Sequence, residues 1–307
     1  MKSKLSFSLR KRFWQPLSSG SEILFSQFSS QWPAMDLLIK LFYAANFGVW
    51  LLKLRYWGDF NSVVVLDPVW PLIWAYQFLS PVKVLWICYF INIIFSLIAM
   101  IFPQKKLARI LAFLGLFFLS AAHNSDIAGW QRLTEGFEFV LISFLFIFLT
   151  YDQKNQRRKV WNFGFIIALS QITIIWSYGC SAIWRIRFAA YSLFYGQPTT
   201  LDWGVLQDTI SYMKNNNGAE GILSNLFIEH SFLNGPGLLF ATFAELSTLY
   251  FIFKPRFYRM VGIELVIFHF GVVLIYNFAF EEHLLVMSLF LLGSPFIYNG
   301  KTHRKTG

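Results

Sequence analysis

The chain has 307 residues, of which 56% are apolar, 20% aromatic and only 14% charged; an ordinary soluble domain carries about 25% charged residues. Its formal net charge of +10 would point to nucleic acid in a soluble protein. Here the basic residues sit in short loops between apolar runs, where lipid phosphates and membrane insertion account for them, so no nucleic-acid partner is expected.

Residues 1–36, beginning MKSKLSFSLRKRFWQPLSSG, form a basic segment. No uninterrupted apolar core follows at once, so the segment does not read as a cleaved signal peptide. Apolar spans are expected at 37–54, 82–102, 107–122, 137–151, 160–183, 238–253, 260–280 and 284–298. The run VLWICYFINIIFSLIAMIF (84–102) carries no charge and is long enough as a helix to cross a hydrocarbon core of roughly 30 Å. Several other spans are shorter and must extend into flanking sequence or sit in thinned membrane. The expected fold is an all-α, polytopic transmembrane helical bundle. It has a single domain at 37–298, a basic segment before it and a tail at 299–307, with the lipid bilayer as its main partner.

The loops orient the bundle. Residues 1–36, PQKKLAR (103–109), QKNQRRK (153–159), KPRFYR (254–259) and the tail after Asn299 hold most of the 26 basic residues. With eight alternating spans they all fall on one side. The opposite segments, 55–81, 123–136, 184–237 and 281–283, hold most of the acids. Positive-inside bias then puts both termini in the cytoplasm of a multi-pass plasma-membrane protein. Of the two long outer segments, 55–81 is an apolar stretch cut by Pro68 and Pro71, which interrupt helical hydrogen bonding and leave a re-entrant, interfacial or spanning piece open. Segment 184–237 has two short amphipathic pieces around the turn signal NNNG, expected to lie on the outer surface.

The stretch WSYGCSAIWRIRF (176–188) ends an apolar run in Arg185 and Arg187, on the outer side and against the usual bias. Three explanations stand: snorkelling to headgroups, pairing with acids such as Asp202 or Asp208, or an anionic ligand. Glu245 and His269 sit near the middle of successive spans joined by a short turn. They are therefore expected at matching depth on antiparallel neighbours, as a proton-handling or ligand-binding pair or as a structural clamp. Glu264, five residues from Arg259 toward the cytoplasmic end, is expected to pair locally or to be wet. Glu281-Glu282-His283 reads as a polar break at the outer face, because adjacent helical residues point about 100° apart and do not converge on an ion. His123 with Asp126 reads as a solvated outer pair, and His230 as a lone loop histidine. Cys88 and Cys180 read as buried thiols with no ligand spacing. No metal site is expected, and no HExxH, GxSxG or GxxxxGK[ST] motif occurs.

The sequence ATFAELSTLYFIFKPRFYRMVGIELVIFHFGVVLIYNFAFEEHLLVMSLFLLGSPF (241–296) sets a glutamate in one span before a Pro-Arg…Arg turn, a Phe-His-Phe span and a last span ending Ser-Pro-Phe. It resembles the horizontally transferred transmembrane domain, the family of vitamin K-dependent gamma-carboxylase. The bacterial members of that family include proteins needed to mature a secreted peptide toxin. The likeness covers about residues 36–298. It implies a bacterial plasma-membrane protein accessory to maturation or modification of a secreted peptide; the residues themselves offer Glu245 and His269 as candidate catalytic residues and Tyr178, Arg185 and Arg187 as candidate binding residues. It names no cofactor. The family's Tyr-Ala-Gly stretch and following lysine pair correspond to Ser177-Tyr178-Gly179-Cys180 and to about Ala182 and Ile183. The active-site lysine is therefore missing, and nearby Arg185 cannot replace a lysine that acts as a base. This departure argues against vitamin K-dependent carboxylation and leaves open whether the chain is an enzyme. The alternatives are a non-enzymatic scaffold or immunity-type membrane partner, or a small transporter. The last would predict internal repeats, and none is found.

Overall fold

A computed structural model of the chain describes residues 26, 28–53, 72–126, 137–196, 210–211, 221–276 and 281–295. Among the described residues there is no strand. In chain order the helices are α1 (Trp32–Lys53), α2 (Ala75–Phe78), α3 (Pro81–Ile101), α4 (Lys106–Asp126), α5 (Phe137–Phe146) and α6 (Gln156–Phe194), then α7 (Ser224–Glu229), α8 (Asn234–Phe251), α9 (Tyr258–Tyr276) and α10 (Glu281–Met287). Single 3-10 turns precede α8 and α9, and a π-helical stretch, Ser288–Leu292, continues α10.

Among the described residues four stretches are long and apolar enough to cross a membrane: Trp32–Leu52, Pro81–Ile101, Gln156–Phe194 and Pro255–Ile275. They coincide with the expected spans 37–54, 82–102, 160–183 and 260–280. The other four expected spans each contain a helix, for different physical reasons less able to cross alone. Helix α5 has 10 residues and rises only about 15 Å. Helix α8 has 18, α10 with its π stretch is shorter still, and α4 carries Lys106, Arg109 and Asp126.

The largest departure is in α6. It was expected to stop at 183, but it runs for 39 residues to Phe194, about 58 Å at the helical rise. Arg185 and Arg187 therefore lie within a helix and not at the start of a loop. Most of the outer segment 55–81, the NNNG turn, Asp202 and Asp208 lie outside the described residues, as do the side chains of His123 and Asp126.

Local chemistry explains where the helices begin and end. Helix α3 opens on Pro81 after an extended Ser80, a position where the missing N–H costs nothing, and Pro103 follows its end. Asn155 caps α6 by accepting the Arg158 amide at 3.2 Å, which satisfies one of the orphan donors of a helix start. Asn162, one turn into α6, binds the preceding loop from both ends. Its Nδ2 donates to the Phe148 carbonyl at 3.2 Å and its Oδ1 accepts the Thr150 amide at 2.9 Å. Beside this loop the Tyr151 hydroxyl donates to Asp36 Oδ1 at 3.0 Å.

Between helices that lipid surrounds, dispersion and close backbone approach replace the hydrophobic drive, so small residues matter. A Cβ on Gly262 of α9 would lie 2.7 Å from Leu291 Cβ. A Cβ on Gly115 of α4 would lie 3.0 Å from the Asn92 Cα of α3. The terminal α10–π unit packs among α1, α5, α6 and α9. There the ring of Phe42 lies 5.2, 5.0 and 6.0 Å from those of Phe139, Phe146 and Phe290, within the range of favourable aromatic pairing. Gln171 of α6 ties the π stretch down, donating from Nε2 to the Phe290 carbonyl and Ser294 Oγ, both at 2.7 Å.

Candidate functional site

A buried polar layer is assembled from five helices. Ser177, Ser181 and Arg185 recur every four residues along α6 and so share one face, with Tyr178 at its edge, about 100° round from Ser177 and about 20° from Arg185. Helix α5 contributes Glu138, α8 Glu245, α9 His269 and α10 His283. Glu138, Tyr178, Glu245, His269 and His283 are all buried, the pattern that marks intramembrane ionisable groups as functional candidates.

The contacts resolve into three linked units. The Tyr178 hydroxyl and His269 Nε2 are 2.6 Å apart, with their rings edge to face. His283 Nδ1 lies 3.3 Å from Glu138 Oε2, while Ser177 Oγ donates to Glu138 Oε1 at 2.8 Å. Arg185 Nη2 donates to Glu245 Oε1 at 3.1 Å, and Ser181 Oγ donates to the same oxygen at 3.2 Å. The His269 and His283 rings stack with centroids 5.8 Å apart and planes within 14°. Stacked faces pass no proton directly between them, so the Tyr178–His269 hydrogen bond and the His283–Glu138 contact, which is close but lacks hydrogen-bond geometry, lie side by side. They remain coupled, because charge on one imidazole raises the cost of charge on the other.

The structure brings together Tyr178, Arg185, Glu245 and His269 in one region but pairs them differently from expectation. Glu245 and His269 do not bond each other: Glu245 takes Arg185 and Ser181, and His269 takes Tyr178. Glu245 Oε2 has no hydrogen-bond partner among the described residues. Arg185 thus finds its acid on α8, at a place none of the three sequence explanations named. Arg187 stands apart, its guanidinium 5.2 Å from the Trp184 ring centroid. Glu264 accepts from Ser247 Oγ at 2.8 Å, while Arg259 donates to the Ser294 carbonyl, so of the two readings of Glu264 the local pairing with Arg259 is not the one seen. Cys88 is buried as expected, but Cys180 is exposed on α6.

Glu138 and His283 were missed as site residues. Glu138 is a lone charge in FEFVLISFLFIF, a signal the sequence did carry. His283 lies in helix α10, not in a wet turn, and its partner is distant in sequence. Among the described residues no cluster of three or more His, Cys, Asp or Glu is arranged to hold a metal ion. Among the described residues the fold is all-helical, with four helices long and apolar enough to cross a membrane and a buried layer of titratable side chains drawn from five helices. No family model, curated protein or solved structure matches the chain.

Proposed function

We propose that the chain is a multi-pass plasma-membrane protein of eight spans with cytoplasmic termini, and that its buried layer performs acid–base chemistry in maturing or modifying a secreted peptide. The observation that carries this reading is the Tyr178–His269 bond of 2.6 Å beside the His283–Glu138 pair at 3.3 Å. Four titratable groups from four helices are costly to hold in an apolar interior, and a phenol–imidazole pair can give and take one proton without leaving a net charge behind. The peptide substrate and the bacterial setting rest on the resemblance of residues 241–296 to the gamma-carboxylase-like family. With no lysine at Ala182 or Ile183, the chemistry assigned here is proton transfer and not carboxylation.

A non-enzymatic scaffold is the second reading. It is favoured by the Arg185–Glu245 contact, which ties α6 to α8 as a structural clamp would. Tyr178→Phe separates the two, since the ring keeps its packing and only the hydroxyl is lost. The test co-expresses the chain with a small secreted-peptide precursor, chosen from any found encoded next to its gene, and measures the mass and yield of the exported peptide. Loss of the modified product with Tyr178→Phe, at unchanged membrane level of the protein, supports acid–base chemistry. Unchanged product with both Tyr178→Phe and His269→Gln supports the scaffold.

A further inference from the structure

A second feature lies outside the polar layer, where the turn after α3 meets the loop after α5. Arg109 is 1% exposed. Its Nη1 donates to the Pro103 carbonyl at 2.5 Å and its Nη2 to the Leu149 carbonyl at 2.6 Å. Both acceptors are neutral, and Nε has no partner among the described residues. The guanidinium also stands 5.3 Å from the Tyr151 ring centroid. A buried cation bonded only to carbonyls keeps its full charge, and a charge in that position calls for a counterion.

Beside it opens a cavity of about 310 Å³ lined by Lys106, Arg109, Thr150, Tyr151, Asp152 and Gln153. Lys106 is the first residue of α4, and no acid occupies the first turn of that helix. The first amides of a helix have no intrahelical acceptor, and they add partial positive charge at this end. Two cations and a helix start thus face one carboxylate, Asp152. The volume is at the low end of ligand pockets, which run from about 300 to 1,000 Å³. It suits a headgroup-sized anion and not an extended chain.

We propose that this cavity binds a phosphate-bearing anion, with Lys106 and Arg109 supplying the charge and Thr150 and Gln153 hydrogen bonds. The phosphate comes either from an anionic lipid headgroup or from free phosphate. The lipid source is favoured by position, because the cavity sits where the basic runs PQKKLAR and QKNQRRK adjoin apolar helices, the level at which headgroups lie in the proposed topology.

The test measures the Tm of the detergent-solubilised full chain against increasing phosphatidylglycerol, phosphatidylcholine with the same acyl chains, and inorganic phosphate. Phosphatidylglycerol is expected to raise Tm saturably, and phosphatidylcholine to do so far less. Competition by inorganic phosphate identifies free phosphate as sufficient; its inability to compete identifies the lipid headgroup. Arg109 is too deeply built in to be a clean variant, so the test uses exposed positions. Lys106→Gln is expected to weaken apparent affinity about fivefold, the effect of one basic residue at a lipid surface, and Asp152→Asn to strengthen it to a similar degree. Lys105→Gln removes the same charge one residue outside the cavity lining and is expected to leave affinity unchanged. The proposal is overturned by the absence of a saturable shift with phosphatidylglycerol or phosphate, by an equal shift with phosphatidylcholine, or by Lys105→Gln matching Lys106→Gln.

Discussion

Replacing Arg185 by alanine strands the carboxylate of Glu245, which is 3% exposed and takes its side-chain hydrogen bonds from Arg185 and Ser181 alone among the described residues. At 3.1 Å the attraction amounts to roughly 5 kcal/mol for an effective dielectric near 20, much of it offset by the cost of desolvating both groups. Removing one member of a fully buried pair costs about 3–5 kcal/mol. The Arg185 side chain is 25% exposed, so solvent screening lowers the expected loss to about 2–3 kcal/mol. Glu245→Gln is milder, about 1 kcal/mol, because the amide oxygen still accepts from Ser181 and no buried charge needs a partner. In the double variant, Arg185→Ala should then add little to Glu245→Gln, giving a coupling energy of about 1–2 kcal/mol. Unfolding free energies of the wild type, both single variants and the double variant in micelles give this number directly. Additivity within about 0.3–0.5 kcal/mol would refute the argument, since uncoupled sites add to that precision.

Arg185→Lys retains the charge and loses only the guanidinium geometry of a single N–H contact, so its stability should fall by less than about 1 kcal/mol; a loss equal to that of alanine would mean that geometry and not charge holds Glu245. Gly262→Val forces a side chain against Leu291 and should destabilise by about 1–3 kcal/mol, read as a lower midpoint in the same unfolding experiment; a wild-type midpoint would show that α9 and the π stretch do not meet so closely. In right-side-out vesicles of a variant with Cys88 and Cys180 replaced, cysteines at Asn155 and Lys254 should be shielded from an impermeant thiol reagent while one at Asn216 reacts. Labelling at Asn155 would break the eight-span arrangement.

The helical class was legible from the sequence because the charge-free runs are long and the loops between them carry the proline and polar residues that end helices, as at Pro103 and Asn155. The individual site residues were partly legible. Tyr178, Arg185, Glu245 and His269 stood out as polar groups in or beside apolar runs, yet the sequence could not say who bonds whom. Equal spacing from a short turn placed Glu245 and His269 at the same depth but not on facing surfaces. Their actual partners, Arg185 and Tyr178, come from α6, which is distant in sequence, and partner choice depends on how each helix is rotated about its axis. Glu138 and His283 stayed hidden for a related reason. Each has an ordinary local explanation, and only the packing of α10 beside α5 makes them a pair.

The length of α6 carries one more consequence. From Gln156 to Arg185 the axis rises roughly 43 Å, while from Phe251 back to Glu245 it rises only about 9 Å. In the proposed topology both Gln156 and Phe251 lie toward the cytoplasm, yet Arg185 and Glu245 touch. A separate set of contacts agrees: Ser294 bonds both Gln171, in the middle of α6, and Arg259, near the start of α9. The start of α6 therefore extends well below the α8–α9 turn when measured along its own axis. Either α6 leans strongly in the bilayer, or its first turns project into the cytoplasm. The sequence decides between them, because VWNFGFIIALS (160–170) is apolar and Phe165 is 64% exposed in the bundle. Such a surface in water is costly, whereas transmembrane helices tilt by up to about 40°; a lean of that size shortens the rise from roughly 43 Å to about 33 Å, so it takes up part of the difference and the α8–α9 turn must lie above the start of α6 for the rest. Helix α6 is thus expected to lie oblique, with Phe165 facing lipid. In inside-out vesicles a cysteine at Asn155 should react with an aqueous thiol reagent and one at Phe165 should not; comparable rates at the two positions would place the start of α6 in water and remove the tilt.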